Sequence, residues 1–155
     1  MILNGSHAFN GPRQRVWELL QDPEVLAKAL PGTERLVLTS EDRYEGVMKV
    51  SVGPVTAARF DVSVVLTEKD PPRRFVMRID GKGGVGFTRG TATIELREES
   101  AISTALQYDA NVQVGGKIAA VGQRLLEQVG KMMSRQALEA LERELRTRLD
   151  DEAAR

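Results

Sequence analysis

ALQYDANVQVGGKIAAVGQRLLEQVGKMM, residues 105–133, changes its period partway along, and the fold follows from that change. Before the glycine pair, Leu106, Tyr108, Ala110, Val112 and Val114 alternate with Gln107, Asp109, Asn111 and Gln113, the period of two that marks a strand with one apolar face. After Gly115 and Gly116, Ile118, Val121, Gly122, Leu125, Val129, Met132 and Met133 recur at helical spacing, and Leu138, Leu141, Leu145 and Leu149 extend the series. The pattern predicts one long amphipathic helix of about 30 residues, roughly 45 Å at 1.5 Å per residue. Such a helix is the one element large enough to cover an apolar sheet face.

Upstream, period two persists through residues 33–114, broken by turn residues at 41–43 (EDR), 53–54 (GP), 70–72 (DPP), the glycine run after 81, and 98–101 (EESA). Six strands are implied, and their connections are too short for parallel crossovers. Tyr44, Gly46, Met48, Val50 and Val52 share one parity; so do Phe60, Val62, Val64 and Leu66, and Gly90, Ala92, Ile94 and Leu96. Ahead of these, residues 2–9 (ILNGSHAF) read as a first strand. Pro12 and Pro23 each open a short helix, and the LPG at 30–32 stops the second. The class is α+β: a seven-stranded curved antiparallel sheet around a long C-terminal helix, with two short helices after the first strand, in a single domain over 1–150. Residues 135–155, RQALEALERELRTRLDDEAAR, are dense in charge with a thin leucine seam. Strands near 20 Å long do not cover a helix of this length, so the expectation is that this end overhangs, frays or packs on another protein.

The decapeptide GKGGVGFTRG (81–90) invites a phosphate-binding reading, but its context opposes one. A dinucleotide fingerprint opens a helix and a P-loop ends in Lys-Ser or Lys-Thr, whereas this run leads into the strand TRGTATIEL. A tight strand reversal, in which glycines accept positive φ, is the expectation.

Composition removes several chemistries. Twenty-two basic residues balance twenty-two acidic ones in the 155-residue chain, so the positive excess that polyanion binding calls for is missing. Without cysteine there is no disulfide, thiol nucleophile or cysteine metal site, and with His7 as the only histidine no histidine-rich metal site forms. No metal, cofactor or catalytic constellation is expected. The N-terminus lacks a secretory pattern, and no stretch reaches the roughly 18 to 20 apolar residues of a membrane span. A cytoplasmic location with at most peripheral membrane contact is the expectation.

The inward parity defines a candidate ligand-binding set: Met48, Phe60, Phe75, Met77, Gly90, Ala92, Ile94, Leu106 and Tyr108 from the sheet, with Leu125, Val129, Met132 and Met133 from the helix. Methionine is flexible and suits surfaces that accept varied apolar partners. Small residues at Gly46, Gly90, Ala92 and Ala110 leave room either for the helix or for a ligand, and parity alone does not choose between them.

The order of elements is that of the helix-grip fold of START-like and polyketide-cyclase-like (SRPBCC) proteins. At finer grain the chain resembles the CoxG-like family, named for the G subunit of carbon monoxide dehydrogenase. The residues that carry the resemblance are GSHAF, PRQRVWELLQDPEVLAKALPG, YEGVMKVSVGPV, GKGGVGFTRGTATIEL, and Tyr108 with VGGKIAAVGQRLL, spanning about residues 2 to 130. The resemblance implies a hydrophobic cavity between sheet and helix. It also implies non-catalytic binding of a quinone- or lipid-like molecule, as an accessory to a CO dehydrogenase-type molybdenum hydroxylase. Family members can carry a C-terminal membrane anchor, whereas this chain ends in DDEAAR, which favours a carrier or docking role. Two other readings stay open: a cyclase- or dehydratase-like enzyme using Tyr44, Tyr108 or His7, and an interaction module, for instance a homodimer, acting through the terminal helix.

Overall fold

Asp22 closes one helix and opens the next, and so fixes the corner on which the rest of the molecule rests. The computed structural model describes residues 1–155. After β1 (Ile2–Phe9), α1 (Arg13–Gln21) ends where the Asp22 backbone N–H donates to the Leu19 carbonyl. The Asp22 side chain then accepts from the Glu24 N–H at 2.9 Å, and Pro23 takes the first turn of α2 (Pro23–Ala29). This is the N-cap arrangement that satisfies an otherwise unpaired donor. Val16, Trp17, Leu19 and Leu20 of α1 and Val25 and Ala29 of α2 are buried beneath the pair.

Six further strands follow: β2 (Thr33–Ser40), β3 (Arg43–Val52), β4 (Val55–Asp70), β5 (Arg74–Gly83), β6 (Gly86–Ser100) and β7 (Ser103–Gly115). They form one curved antiparallel sheet in the order β1-β7-β6-β5-β4-β3-β2, so β1 joins the meander beside β7 and leaves β2 at the opposite edge. Each apolar parity series of the sequence faces the concave side. The cross-strand rows Phe75–Ile94–Tyr108–Gly5 and Met77–Ala92–Ala110–Leu3 follow directly from the register.

The glycine-rich segment is the β5–β6 hairpin, with Gly84 and Val85 at the tip and Gly83 opposite Gly86. The strand reversal is the expected one, and only the place of its positive φ differs. Neither tip residue has positive φ; Gly86 does, at 141°. A Cβ there would stand 2.1 Å from the Gly115 carbonyl oxygen, and one on Gly83 would stand 2.2 Å from the Arg59 carbonyl oxygen. Close backbone approach is what requires glycine here. The tip is clasped by a 3-10 turn over Lys117–Val121, in which the Ile118 N–H donates to the Val85 carbonyl at 2.8 Å.

Gly122, at φ 100°, separates that turn from α3 (Gln123–Ala153), so Ile118 and Val121 lie outside the helix that the sequence pattern assigned them to. The larger correction concerns the far end of α3. Leu141 and Leu145 are 4% and 2% exposed and belong to the main core, with Leu138 and Leu149 packed alongside. Full burial of a leucine stabilises by about 1.5–3 kcal/mol, so this half of α3 is an integral part of the domain. It does not overhang because α1 and α2 extend the platform beyond the sheet. Its charges meet partners there: Arg148 pairs with Asp22 at 2.7 Å, Arg15 with Glu152, and Glu142 with His7. Every residue is exposed only from Asp150 to Arg155.

Candidate functional site

The apolar interior is not continuous. One cluster gathers Phe9, Val16, Trp17, Phe75, Leu96, Leu106, Leu141 and Leu145 with their neighbours under the C-terminal half of α3. A second, of Val52, Ala58, Phe60, Val62 and Ile118, sits under the β3–β4 turn and the 3-10 turn. Between them the register places a row across the sheet, Val64–Ile79–Gly90–Val112, and all four residues are only half-buried. Ile79 and Val112 pack against neither cluster. Large apolar residues at the centre of a concave face would be dry in an ordinary core, so this row is left partly open, and the space over it is the candidate cleft.

The course of α3 explains the opening. Among the strands, its backbone packs most against β1 and β3, towards the two sides of the sheet. The contact with β1 is tight: a Cβ on Gly130 would lie 2.9 Å from Leu3. On the opposite side, a Cβ on Gly53 in the β3–β4 turn would lie 2.6 Å from the Leu125 side chain. The helix therefore spans the sheet like a bar held at its sides. Gly90 reports the space beneath: the three nearest atoms to a Cβ built there, at 3.4 to 3.8 Å, all come from β7 and none from the helix.

Small residues on this face divide accordingly. Gly90 leaves room, whereas Gly46 is forced by backbone, since a Cβ on it would stand 1.8 Å from the Arg35 carbonyl oxygen of β2. Of the sequence-derived ligand set, Met48, Met77, Gly90, Tyr108, Leu125, Val129 and Met133 are half-buried around the cleft. Phe75, Ile94 and Leu106 lie in the closed main cluster and Phe60 in the second, with Ala92 buried in the floor. Met132 is 40% exposed and differs from expectation for a geometric reason. Adjacent helical residues point about 100° apart, and Met133 is the less exposed of the two. Val64, Ile79 and Val112 were not singled out from sequence, although their inward parity was the available signal.

Polar groups at the cleft are few. Tyr44 is committed to the fold, its hydroxyl donating to the Gln21 carbonyl at 2.6 Å. Burial, helped by the nearby Asp42 and Asp22 carboxylates, pushes its phenol above the usual range, so it stays protonated. Tyr108 is half-buried and its ring lies across Gly5, where a Cβ would meet the hydroxyl at 2.8 Å. His7 Nε2 and Glu142 Oε2 meet at 2.6 Å, and Asn10 donates to the other Glu142 oxygen at 3.3 Å. The imidazole also packs edge-on to Phe9. No cluster of histidine and carboxylate side chains is arranged to hold a metal ion. A separate depression of about 270 Å³ lies elsewhere, lined by Ser6, Arg13, Arg73, Glu95, Arg97 and Gln107 among others. Leu96, Ala105 and Leu106 supply the apolar part of its walls, so Leu106 of the sequence-derived set borders this depression.

Comparison with known proteins agrees with this architecture. A family model for CoxG, the G subunit of carbon monoxide dehydrogenase, matches residues 5–146. A conserved protein from Geobacillus kaustophilus is similar in structure at 31% identity and TM-score 0.89, covering 95% of this chain and 96% of that one. A START superfamily protein from Mycobacterium smegmatis shares the fold at 12% identity and TM-score 0.73, covering 94% and 97% of the two chains. So does the ZhuI aromatase/cyclase from Streptomyces sp. R1128, at 19% identity and TM-score 0.68, covering 96% and 95%. No curated protein sequence matches the chain. No helix is long and apolar enough to cross a membrane.

Proposed function

The chain belongs to the CoxG family of carbon monoxide dehydrogenase, and on that footing we propose that it binds a small hydrophobic molecule, quinone- or lipid-like, in the cleft beneath α3 without transforming it. Its role is that of an accessory protein to a CO dehydrogenase-type molybdenum hydroxylase. The observation that carries the reading is the half-buried row Val64–Ile79–Gly90–Val112 between two closed apolar clusters. Each Å² of apolar surface left wet forgoes about 25 cal/mol, and a guest of matching chemistry recovers it. None of the residues named around the cleft carries a charged side chain. That selects an uncharged ligand. The Tyr108 hydroxyl offers one donor at the wall, suited to a quinone carbonyl or an ester oxygen.

Native mass spectrometry of gently purified protein, followed by titration with a short-chain quinone and a fatty-acid ester, tests the reading. One apolar molecule per chain is expected, displaced by one of the two probes. Absence of any co-purified molecule together with no binding of either probe would overturn it. The partner is tested separately, by co-purification with molybdenum hydroxylase subunits. A second reading, chemistry of the cyclase or dehydratase kind, draws on Tyr108 and the His7–Glu142 pair. Conversion of a bound ketone that is lost in Tyr108→Phe and His7→Ala would favour it over carriage.

A further inference from the structure

The convex face of the sheet, turned away from the cleft, has a hollow of its own. Outward parity sets Ser6, Gln107, Glu95 and Arg74 in one cross-strand row and Ala8, Ala105 and Arg97 in the next. The single methyl groups of Ala8 and Ala105 leave the surface low at that point. Arg13 from the start of α1, Arg73 from the β4–β5 turn and Arg97 from β6 stand around the resulting depression of about 270 Å³, far more than one water needs. Its charges are not balanced. Arg73 and Arg97 each spend Nε and Nη2 hydrogens on a single carboxylate oxygen, of Asp70 and Glu99 respectively, and leave Nη1 unused. Glu95 lies 3.6 Å from Arg74. Arg13 is half-buried and belongs to no ion pair, although Arg15, two residues on, takes both Glu18 and Glu152. The lining residues and their ion-pair partners thus set four arginines against three carboxylates, and the excess is the charge of Arg13. A charge drawn partly out of water usually has a counterion, and here the chain supplies none.

We propose that this hollow binds a small hydroxy acid, with its carboxylate on Arg13. One excess positive charge matches one carboxylate, and a guanidinium presents paired N–H donors in the geometry a carboxylate accepts. The rest of the wall calls for hydroxyl groups: Glu95 accepts, the Nη1 groups of Arg73 and Arg97 donate, and Ser6 and Gln107 do both. An alkyl acid would leave these groups without partners, and Glu95 repels a second carboxylate. Because most of the side chains involved are exposed, the affinity is modest. The sheet separates this hollow from the cleft beneath α3, so the two sites are occupied independently, and the proposal does not rest on the apolar guest.

Amide-resolved NMR titration of the isotope-labelled protein with glycerate, propionate and glycerol tests the proposal, because these probes are similar in size and carry respectively both groups, the carboxylate alone and the hydroxyls alone. Glycerate should shift the amides of Arg97, Ala105 and Gln107 saturably. Propionate should bind about fivefold more weakly, the equivalent of one neutral hydrogen bond, and glycerol should shift none of them. Arg13→Gln should weaken glycerate binding by at least about tenfold, through loss of a charge-assisted pair. Arg35→Gln, at an exposed arginine of β2 that also belongs to no ion pair, should change nothing. Ala105→Leu should fill the hollow and abolish binding, whereas Gly90→Leu, on the opposite face, should leave it intact. The same spectra report whether each variant is folded. Absence of saturable shifts with glycerate overturns the proposal. So does equal affinity for glycerate and propionate, or binding that survives Arg13→Gln or a folded Ala105→Leu.

Discussion

Arg148 of α3 reaches back across 126 residues of chain to place its guanidinium 2.7 Å from the Asp22 carboxylate at the α1–α2 corner. That carboxylate also caps α2 through the Glu24 N–H. Partial burial works to raise its pKa, but the Arg148 hydrogen bond and the donors at the start of α2 outweigh it and hold the carboxyl below the usual range. A depressed carboxylate contributes stability above its unfolded pKa, about 3.9, and loses it as pH falls through the lower folded value. Asp22→Asn keeps a capping oxygen and removes the charge. It should cost less than about 1 kcal/mol at neutral pH, since the pair is partly solvent-screened, and should flatten the fall of stability between about pH 5 and pH 3. Asp22→Ala should lose about 1 kcal/mol more with the cap. Urea denaturation of the three proteins across this range checks both statements.

A leucine in the distal half of α3 should behave very differently from a valine near its start. Leu145→Ala removes a side chain 2% exposed in the main cluster and should destabilise by about 2–5 kcal/mol. Val129→Ala, half-buried beside the cleft, should cost less than about 1.5 kcal/mol. Removing residues 150–155 should leave the midpoint of thermal unfolding nearly unchanged, while removing 138–155 takes away Leu141 as well and should abolish cooperative folding. A truncation at 138 that still melts cooperatively would show that α3 contributes little beyond its first half.

The strands were legible in the sequence because period two runs through most of their length, whereas the place of β1 beside β7 and the register shifts near strand ends leave no such signal. The long helix was legible for the same kind of reason. What sequence spacing could not show is which charges of its distal half are spent in tertiary contacts. Arg148, Glu142 and Glu152 look like a solvated face until α1, α2 and β1 bring Asp22, His7 and Arg15 to them. The candidate cleft was half legible: parity put Met77, Gly90 and Tyr108 on the inward face, but the division of the core into two clusters depends on where the helix bar rests. Gly53 and Gly130 set that, and nothing in their local pattern announces contact with Leu125 and Leu3.

Gly46 and Gly90 share a parity and should respond in opposite ways to substitution. A methyl at Gly46 would collide with the Arg35 carbonyl at 1.8 Å, so Gly46→Ala must displace β2 and should destabilise by about 3 kcal/mol or more. At Gly90 the nearest atoms are at ordinary contact distance. Gly90→Leu should change stability by no more than about 1 kcal/mol while filling the cleft, with at least a tenfold loss of affinity for an apolar probe. Chemical denaturation and probe titration on the same preparations separate the two effects. Loss of folding in Gly90→Leu would mean that the cleft is closed in solution.

Tyr44 and Tyr108 make the complementary pair of tests for the polar end of the cleft. The Tyr44 hydroxyl already donates to the Gln21 carbonyl, so Tyr44→Phe should cost about 1 kcal/mol of stability and leave ligand affinity unchanged. If the Tyr108 hydroxyl donates to a bound carbonyl or ester oxygen, Tyr108→Phe should leave stability unchanged. It should weaken binding of an oxygen-bearing probe by about three- to tenfold, the equivalent of one neutral hydrogen bond. A purely hydrocarbon probe of the same length should bind both variants equally, because it offers no acceptor. If instead Tyr44→Phe lowers affinity and Tyr108→Phe does not, the oxygen of the ligand lies at the α1–α2 corner, and the guest enters the cleft in the reverse orientation.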